Sequence, residues 1–326
     1  MPVNTASSVK FTLLTACKNE ERDIRLALES ALAQTYPHKE IIFVDDSTDG
    51  TKEIIRSYSK FGVILIDGLG EGCCRARNLG MERATGDVVV FLTADTRLEP
   101  DYLEKILPYY QKGYDWVTVE SCSFNTESVY SRFVEMQHRH EDSSPGFDPL
   151  TTQGYSVRRD AALAVGGITG GIYPVNFCRD WSLGKKMTEK GCKKMHDRSI
   201  VVPHKSPDTF SEYWTVRKAR GLMSVYQSYF LFGKTLRVLF FRFMAKDVLA
   251  LARHVLVVPI ALRAARIAWH SNRPFRDFPL FLYAGFMQSL AFYSGEWQGY
   301  INILRLKKSG CHGAPQSGGT EVVRVI

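Results

Sequence analysis

The sequence has no G-x-G-x-x-G turn after its first apolar run, no C-x-x-C pair, no internal repeat and no long apolar core near its N-terminus. Each absence removes a class of protein. TACKNEERD stands where a dinucleotide-binding glycine turn would be, which makes a dinucleotide-binding enzyme or nucleotidyltransferase the weakest of the readings a parallel sheet allows. The seven cysteines, Cys17, Cys73, Cys74, Cys122, Cys178, Cys192 and Cys311, are odd in number. That argues against a disulfide framework or a structural zinc site and points to a reducing compartment. MPVNTASSVK leads directly into FTLLTA, so the N-terminus is expected to start a domain and not an export signal. Acid is also scarce in one region. Between Tyr213 and Lys308 stand 15 Lys and Arg residues but only Asp247, Asp277 and Glu296, a local charge of +12 against +8 for the whole chain.

What is present fits a large α/β domain with an appendage. The chain has 326 residues, 45% of them apolar, which is enough for a sizeable core. From residue 11 to about 122, short apolar runs (FTLLTA, EIIFVD, GVILID, DVVVFL, DWVTVES) alternate with helical patterns such as ERDIRLALESALAQ and DYLEKILPYYQK. Such alternation predicts βαβ units and a mostly parallel sheet, with functional groups at the carboxyl ends of its strands. Further on, the expected elements are a helix from Ser128 to Asp142, a loop SSPGFDP, a strand LTTQGYSV, a Gly-rich loop GGITGGIYP, a helix from Trp181 to Lys190 and a strand KKMHDRSIVV. From Thr209 to about Leu306 the pattern is helical, with breaks expected at Pro259, Asn272–Pro274 and Pro279. KKSGCHGAPQSGG reads as a mobile linker.

Polar clusters close the apolar runs. Asp45-Asp46-Ser47-Thr48-Asp49 follows EIIFV; capping accounts for Asp49 or Thr48 but not for two adjacent acids at the last strand positions, which suit a ligand. Gly68-Leu69-Gly70-Glu71-Gly72 precedes a helix carrying Arg75, Arg77 and Asn78, either a surface turn or an anion-binding helix start. Thr93-Ala94-Asp95 follows DVVVFL. Its carboxylate either turns back onto backbone amides or holds a divalent metal of the kind that takes one or two carboxylates and leaves its other positions to phosphates. Asp180 is an N-cap or a general base, and His204 a structural histidine or a metal or phosphate contact.

In this order the clusters resemble the family 2 glycosyltransferases, which have a GT-A type fold, a Rossmann-like, mostly parallel sheet with flanking helices, and use nucleotide sugars. The matching stretches are TACKNEERDIRLALESALAQTYPHKEIIFVDDSTDGT, GCCRARNLGMERATGDVVVFLTADTRLEPDYLEKI and AALAVGGITGGIYPVNFCRDWSLGKKM, most of residues 11 to 205. The resemblance implies that Asp46, with Asp45 beside it, faces the base and ribose of the nucleotide, with Ala16, Lys18 and Glu20 lining the same pocket and Arg77 near the donor. Asp95 matches the metal-binding last acid of the D-x-D motif and Ala94 its middle residue, while Thr93 replaces the first acid. Asp180 matches the catalytic base; Arg179 replaces the acid before it and would keep it ionised, and Ser182 replaces a common later acid. Mg2+ or Mn2+, bound by Asp95, and a UDP- or GDP-linked sugar are the implied cofactor and donor; His204, read from its own position, is a second candidate for the metal. The outcome would be inversion. SEYWTVRKARGLMS lacks the Q-x-x-R-W signature of processive members, so transfer of a single sugar is expected. Thr93 and Arg179 keep open a paralogue that binds donor without turnover.

The basic, apolar C-terminal third is expected to meet a membrane and not nucleic acid, since Phe278–Gly295 carries no charge. Val248–Trp269 and Phe278–Gly295 are near the length that crosses a bilayer, and SNRPFRD would link them as a hairpin, although Arg253, Arg263 and Arg266 oppose spanning. The expected organisation is a glycosyltransferase domain over 1–208, a helical membrane-associated region over 209–308 and a flexible tail over 309–326. The acceptor would be lipid-linked or membrane-proximal and the active site cytoplasmic.

Overall fold

A computed structural model describes residues 9–142, 148–169, 180–255 and 258–308. The Gly-rich loop beyond residue 169, Arg179 and the 309–326 tail lie outside the described residues. The chain divides into two units at Asn125/Thr126, His140/Glu141 and Ser206/Pro207, so the 126–140 stretch clusters with the C-terminal helices.

The first unit is built on a seven-stranded sheet: β1 (Phe11–Cys17), β2 (Lys39–Asp45), β3 (Val63–Asp67), β4 (Val88–Leu92), β5 (Trp116–Ser123), β6 (Ser156–Arg158) and β7 (Lys194–His204). Their order is β3-β2-β1-β4-β6-β5-β7. Only β6 runs against its neighbours β4 and β5; the other pairings are parallel, as the alternating pattern predicts. The strands read as unbroken apolar runs because both faces are covered. Phe11, Leu13, Phe43, Val88, Val90 and Leu92 face one core, with Ile24 and Leu28 of α1 (Ile24–Leu32) and Leu103 and Ile106 of α4 (Tyr102–Gln111). Leu14, Ile42, Val44, Val89 and Phe91 face the other, with Leu79 and Met81 of α3 (Cys73–Arg83) and Leu183 and Met187 of α7 (Asp180–Glu189). Gly80 lets α3 lie against Leu14, where a Cβ would collide with that side chain.

The expected strand LTTQGYSV contracts to the three residues of β6. Gly154 at φ 71° and a Tyr155 N–H···O=C Thr152 bond of 3.4 Å turn the chain just before it. The helix α2 (Thr51–Ser57) follows the Asp45–Asp49 cluster, and α6 (Arg159–Ala164) follows β6.

The second unit holds α5 (Val129–Asp142), whose last residues pass into the first, together with α8 (Phe210–Tyr226), α9 (Leu236–Val255), α10 (Val258–Ala268) and α11 (Pro274–Lys308). Two expectations fail here. Helix α11 runs through Pro279 unbroken, because Phe281 and Ala284 just beyond it are fully buried and their packing outweighs one lost backbone bond. A break does occur over Gln227–Leu231, a π-helical turn followed by Gly233 at φ 60° and by Thr235, whose hydroxyl accepts from Val238 N at 3.3 Å. The spanning hairpin is not observed: among the described residues no helix is long and apolar enough to cross a membrane. Helix α9 is punctuated by Arg237, Arg242, Lys246 and Arg253, and α10 has only 11 residues.

Candidate functional site

The order of strands reverses at β1, with β2 and β3 to one side and β4 to the other. A crevice therefore opens beyond the carboxyl ends of β1 and β4, where α/β sheets bind ligands. Thr15 pairs with Leu92, so Ala16–Glu20 and Thr93–Asp95 leave the sheet side by side.

The β1 and β2 ends are tied by side chains. Asn19, in the left-handed region at φ 59°, donates its N–H to Ser47 Oγ (2.7 Å), and Ser47 donates to Asp45 Oδ1. Cys17 Sγ donates to the same oxygen (3.3 Å); burial and Asp45 push the thiol far up, so it stays protonated. Asp45 is 1% exposed, and its Oδ2 has no hydrogen-bond partner. Asp49 accepts from Thr51 N (3.1 Å) in a turn just ahead of α2; the N-cap itself is Gly50 and no side chain caps it, so the capping role expected of Asp49 or Thr48 is not seen. Asp46 reaches the glycine loop instead: Gly70 N–H donates to its Oδ1 at 2.8 Å, and Gly68 lies so close to the carboxylate that a Cβ there would overlap it. That loop leads into α3.

At the β4 end, Thr93 donates its hydroxyl to Asp95 Oδ1, lies 2.7 Å from Thr96 Oγ1 and 3.1 Å from the side-chain amide of Gln153. A hydroxyl has one proton; if it goes to Asp95, the Gln153 amide donates in return through its NH2. The turn is fastened to the end of β7 by Arg97 N→Pro203 O (2.9 Å), Lys205 N→Asp95 O (3.1 Å) and a Thr96–His204 bridge. His204, predicted from sequence alone, is thus brought beside Asp95 by the backbone, with its side chain buried. Ala94 turns its methyl into the core, which leaves only backbone to offer a donor. Ala16 is half-buried and Lys18 exposed.

Glu20 reports the field in this crevice. Its carboxyl is pushed up to about 7, first by burial and then by Asp95, Asp23 and Asp49, while Lys205, paired with Asp23 at 3.0 Å, works in the opposite direction. Among the described residues no three metal-ligating side chains converge. A hard cation of the kind that takes one or two carboxylates and its remaining ligands from phosphate and water would find Asp95, with Glu20 near it, here. Asp95 lies close enough to Glu20 for its charge to raise the Glu20 carboxyl.

The Asp180 carboxylate begins α7 and pairs with Arg77 on α3. The sequence singled out both residues but not their pairing. Nor did it show that Asn78, the next residue on α3, holds Ile168 in the segment that follows α6. Asn78 Nδ2 donates to Ile168 O (2.9 Å), and its Oδ1 accepts from Ile168 N (2.9 Å). Ser182 Oγ accepts from Thr169 N (2.8 Å), and Lys186 Nζ donates to Gly167 O (2.9 Å). Contacts therefore run from Asp46 through the glycine loop and α3 to Asp180. The Arg77-Asn78 dipeptide carried a signal that could have been read: two polar side chains inside an otherwise packed helix need partners. Gln153 carried none.

Residues 12–159 match the family model described as Glycosyl transferase family 2. The chain is 35% identical over 119 residues to TuaG of Bacillus subtilis, named as a candidate teichuronic acid biosynthesis glycosyltransferase, covering 35% of this chain and 44% of that one. It is 34% identical over 100 residues to the glycosyltransferase GlyA of Streptococcus pneumoniae, covering 30% and 14%. The chain thus spans less than half the length of these curated relatives. A solved mannosyltransferase, PcManGT from Pyrobaculum calidifontis in complex with GDP-Man and Mn2+, superposes with a TM-score of 0.52 at 16% identity, over 94% of this chain and 76% of that one. At that identity the likeness shows the fold.

Proposed function

The chain carries a family 2 glycosyltransferase domain over residues 12–159, and from that premise we propose that it moves a single sugar, with inversion, from a nucleoside-diphosphate sugar to the hydroxyl of a membrane-proximal, lipid-linked acceptor on the cytoplasmic side. The observation that carries the reading is the pair of strand-end carboxylate groups, Asp45 with Asp46 and Asp95 with Glu20, flanking the crevice at the sheet's switch point. Asp46, Asp45, Ala16, Lys18 and the Ala94 backbone would receive the nucleoside. PcManGT holds GDP-Man and Mn2+ on this fold; here Asp95, with His204 beside it, would hold Mg2+ or Mn2+. When bound, such a cation neutralises charge on the departing diphosphate.

Asp180 would take the proton of the acceptor hydroxyl as its oxygen attacks the anomeric carbon. The bond from that carbon to the diphosphate oxygen breaks as the new one forms, its electrons leaving with the diphosphate, through an oxocarbenium-like transition state. Arg77 would position the Asp180 carboxylate, while Asn78 beside it holds Ile168. In this reading Arg77 of α3 is a partner of the base; Arg179, which the sequence suggested, lies outside the described residues.

One observation favours a protein that binds donor without turning it over: Thr93 stands at the first acid position and engages an oxygen of Asp95. Turnover separates the two readings. The purified chain, given Mn2+ or Mg2+ and UDP-, GDP- and dTDP-sugars, is expected to release nucleoside diphosphate from at least one, and Asp180→Asn to abolish that release. If no donor is hydrolysed and Asp180→Asn changes nothing, the enzyme reading fails.

A further inference from the structure

The corner between α10 and α11 displays two of the most exposed large apolar side chains among the described residues, Phe275 at 88% and Trp269 at 76%. Leu262, on α10, is 54% exposed. Over 258–276 there are four arginines, Arg263, Arg266, Arg273 and Arg276, and no acid. The nearest acid, Asp277, is fully buried and neutralised from within its own unit: Arg132 Nε donates to it at 3.0 and 3.1 Å, Ser271 donates to Oδ2, and Arg273 Nε lies at 3.4 Å. That buried cluster ties the turn to α5, while Phe275 and Arg276 beside it are exposed. Beside the corner lies an open recess of about 420 Å³, lined by Leu262, Ala265, Arg266, Trp269, His140 and His270.

We propose that this corner is a docking surface for an anionic lipid bilayer, which it enters only to the depth of the headgroups and first acyl carbons. The inference deepens the membrane-proximal placement proposed above and rests on nothing in the crevice. An exposed indole and phenyl ring flanked by arginines match an interface that is apolar on one side and carries phosphates on the other. A second copy of the chain fits worse, because the arginines of one corner would meet those of the next. No described helix can cross the bilayer, so contact at the surface is the mode that the exposed residues support. SNRPFRD, expected from sequence to link two spanning segments, becomes the element that touches the lipid.

The test is co-sedimentation of the full chain with vesicles of phosphatidylcholine alone and of phosphatidylcholine mixed with an equal amount of phosphatidylglycerol. The chain should bind the mixed vesicles, and bind them less as salt rises. Trp269→Ala with Phe275→Ala should weaken binding on the order of tenfold or more. Arg263→Gln with Arg266→Gln and Arg276→Gln should remove on the order of a hundredfold and with it the preference for anionic lipid. All five side chains are exposed, so circular dichroism and melting of the variants should match the parent, and so should donor hydrolysis in solution; that assay reports separately on the crevice. The proposal is overturned if the parent ignores anionic vesicles, if the apolar double variant binds like the parent, or if the variants instead abolish a self-association seen without lipid.

Discussion

Buried acids in the two units live under opposite conditions. In the second unit Asp277 and Glu296 are almost inaccessible, and each is met by cations: Arg132 and Arg273 around Asp277, Lys246 Nζ 2.8 Å from Glu296. In the first unit Glu20 is surrounded mainly by other acids, and Asp45 is buried with one oxygen, Oδ2, that has no hydrogen-bond partner among the described residues. Burying a charge without a partner is costly, so a fold keeps such groups only where something else binds. The acids of the second unit hold helices together; in the proposed function, those of the first would meet a cation and its phosphates.

That contrast can be broken from either side. The largest expected effect is on turnover: Asp180→Asn should lower the rate of sugar transfer by about 10²- to 10⁴-fold with donor binding retained, as measured by steady-state kinetics beside calorimetry. Next comes a stability effect in the second unit. Arg132→Ala removes the buried cation that Asp277 meets, leaving only Ser271 and the more exposed Arg273, and should cost about 3 kcal/mol, read by chemical denaturation. Arg77→Lys should lower kcat by roughly tenfold with little change in donor KM, because a point charge replaces a planar donor that positions Asp180; an equal rise in KM would instead make Arg77 a donor ligand.

The smallest effect is a pH dependence. With the folded-state carboxyl of Glu20 raised to about 7, the folded chain binds more protons than the unfolded one between the ordinary carboxylate range and neutrality. Metal-free protein should therefore lose stability as pH rises through that window and lose no more above it. Glu20→Gln should flatten the slope, seen as melting temperatures of parent and variant that converge near pH 5 and diverge near pH 8. Parallel curves would mean that the crevice is less acidic than its residues imply.

The strands and their functional ends were legible because each strand is a short run buried on both faces and closed by polar residues, with Asp45 and Asp95 marking the edge. Asp180 was singled out by resemblance. Its partner Arg77 was not seen as such, because 103 residues separate the two and only the docking of α3 and α7 joins them. The second unit was harder. Pro279 looked like a helix end, but burial of Phe281 and Ala284 decides the matter, and proline in a helix is a local rule that packing overrides. The real break carried its own signal, Gly233 followed by Thr235, a helix stop and a helix start two residues apart. Phe278–Gly295 looked long enough to span, yet its tyrosines, glycines, serines and glutamine keep it from being apolar enough.

The central claim is that the acids at the ends of β1, β2 and β4 form a metal-dependent nucleotide-sugar site, and calorimetric titration of GDP- and UDP-sugars in Mn2+ and after chelation tests it most directly. The parent should bind one donor class with Mn2+ and lose it on chelation. Asp95→Ala should weaken that binding by roughly 10- to 100-fold, as loss of a metal-site residue does, and Thr93→Asp should preserve or strengthen it. An Asp95→Ala protein that binds donor and Mn2+ as the parent does would contradict the claim.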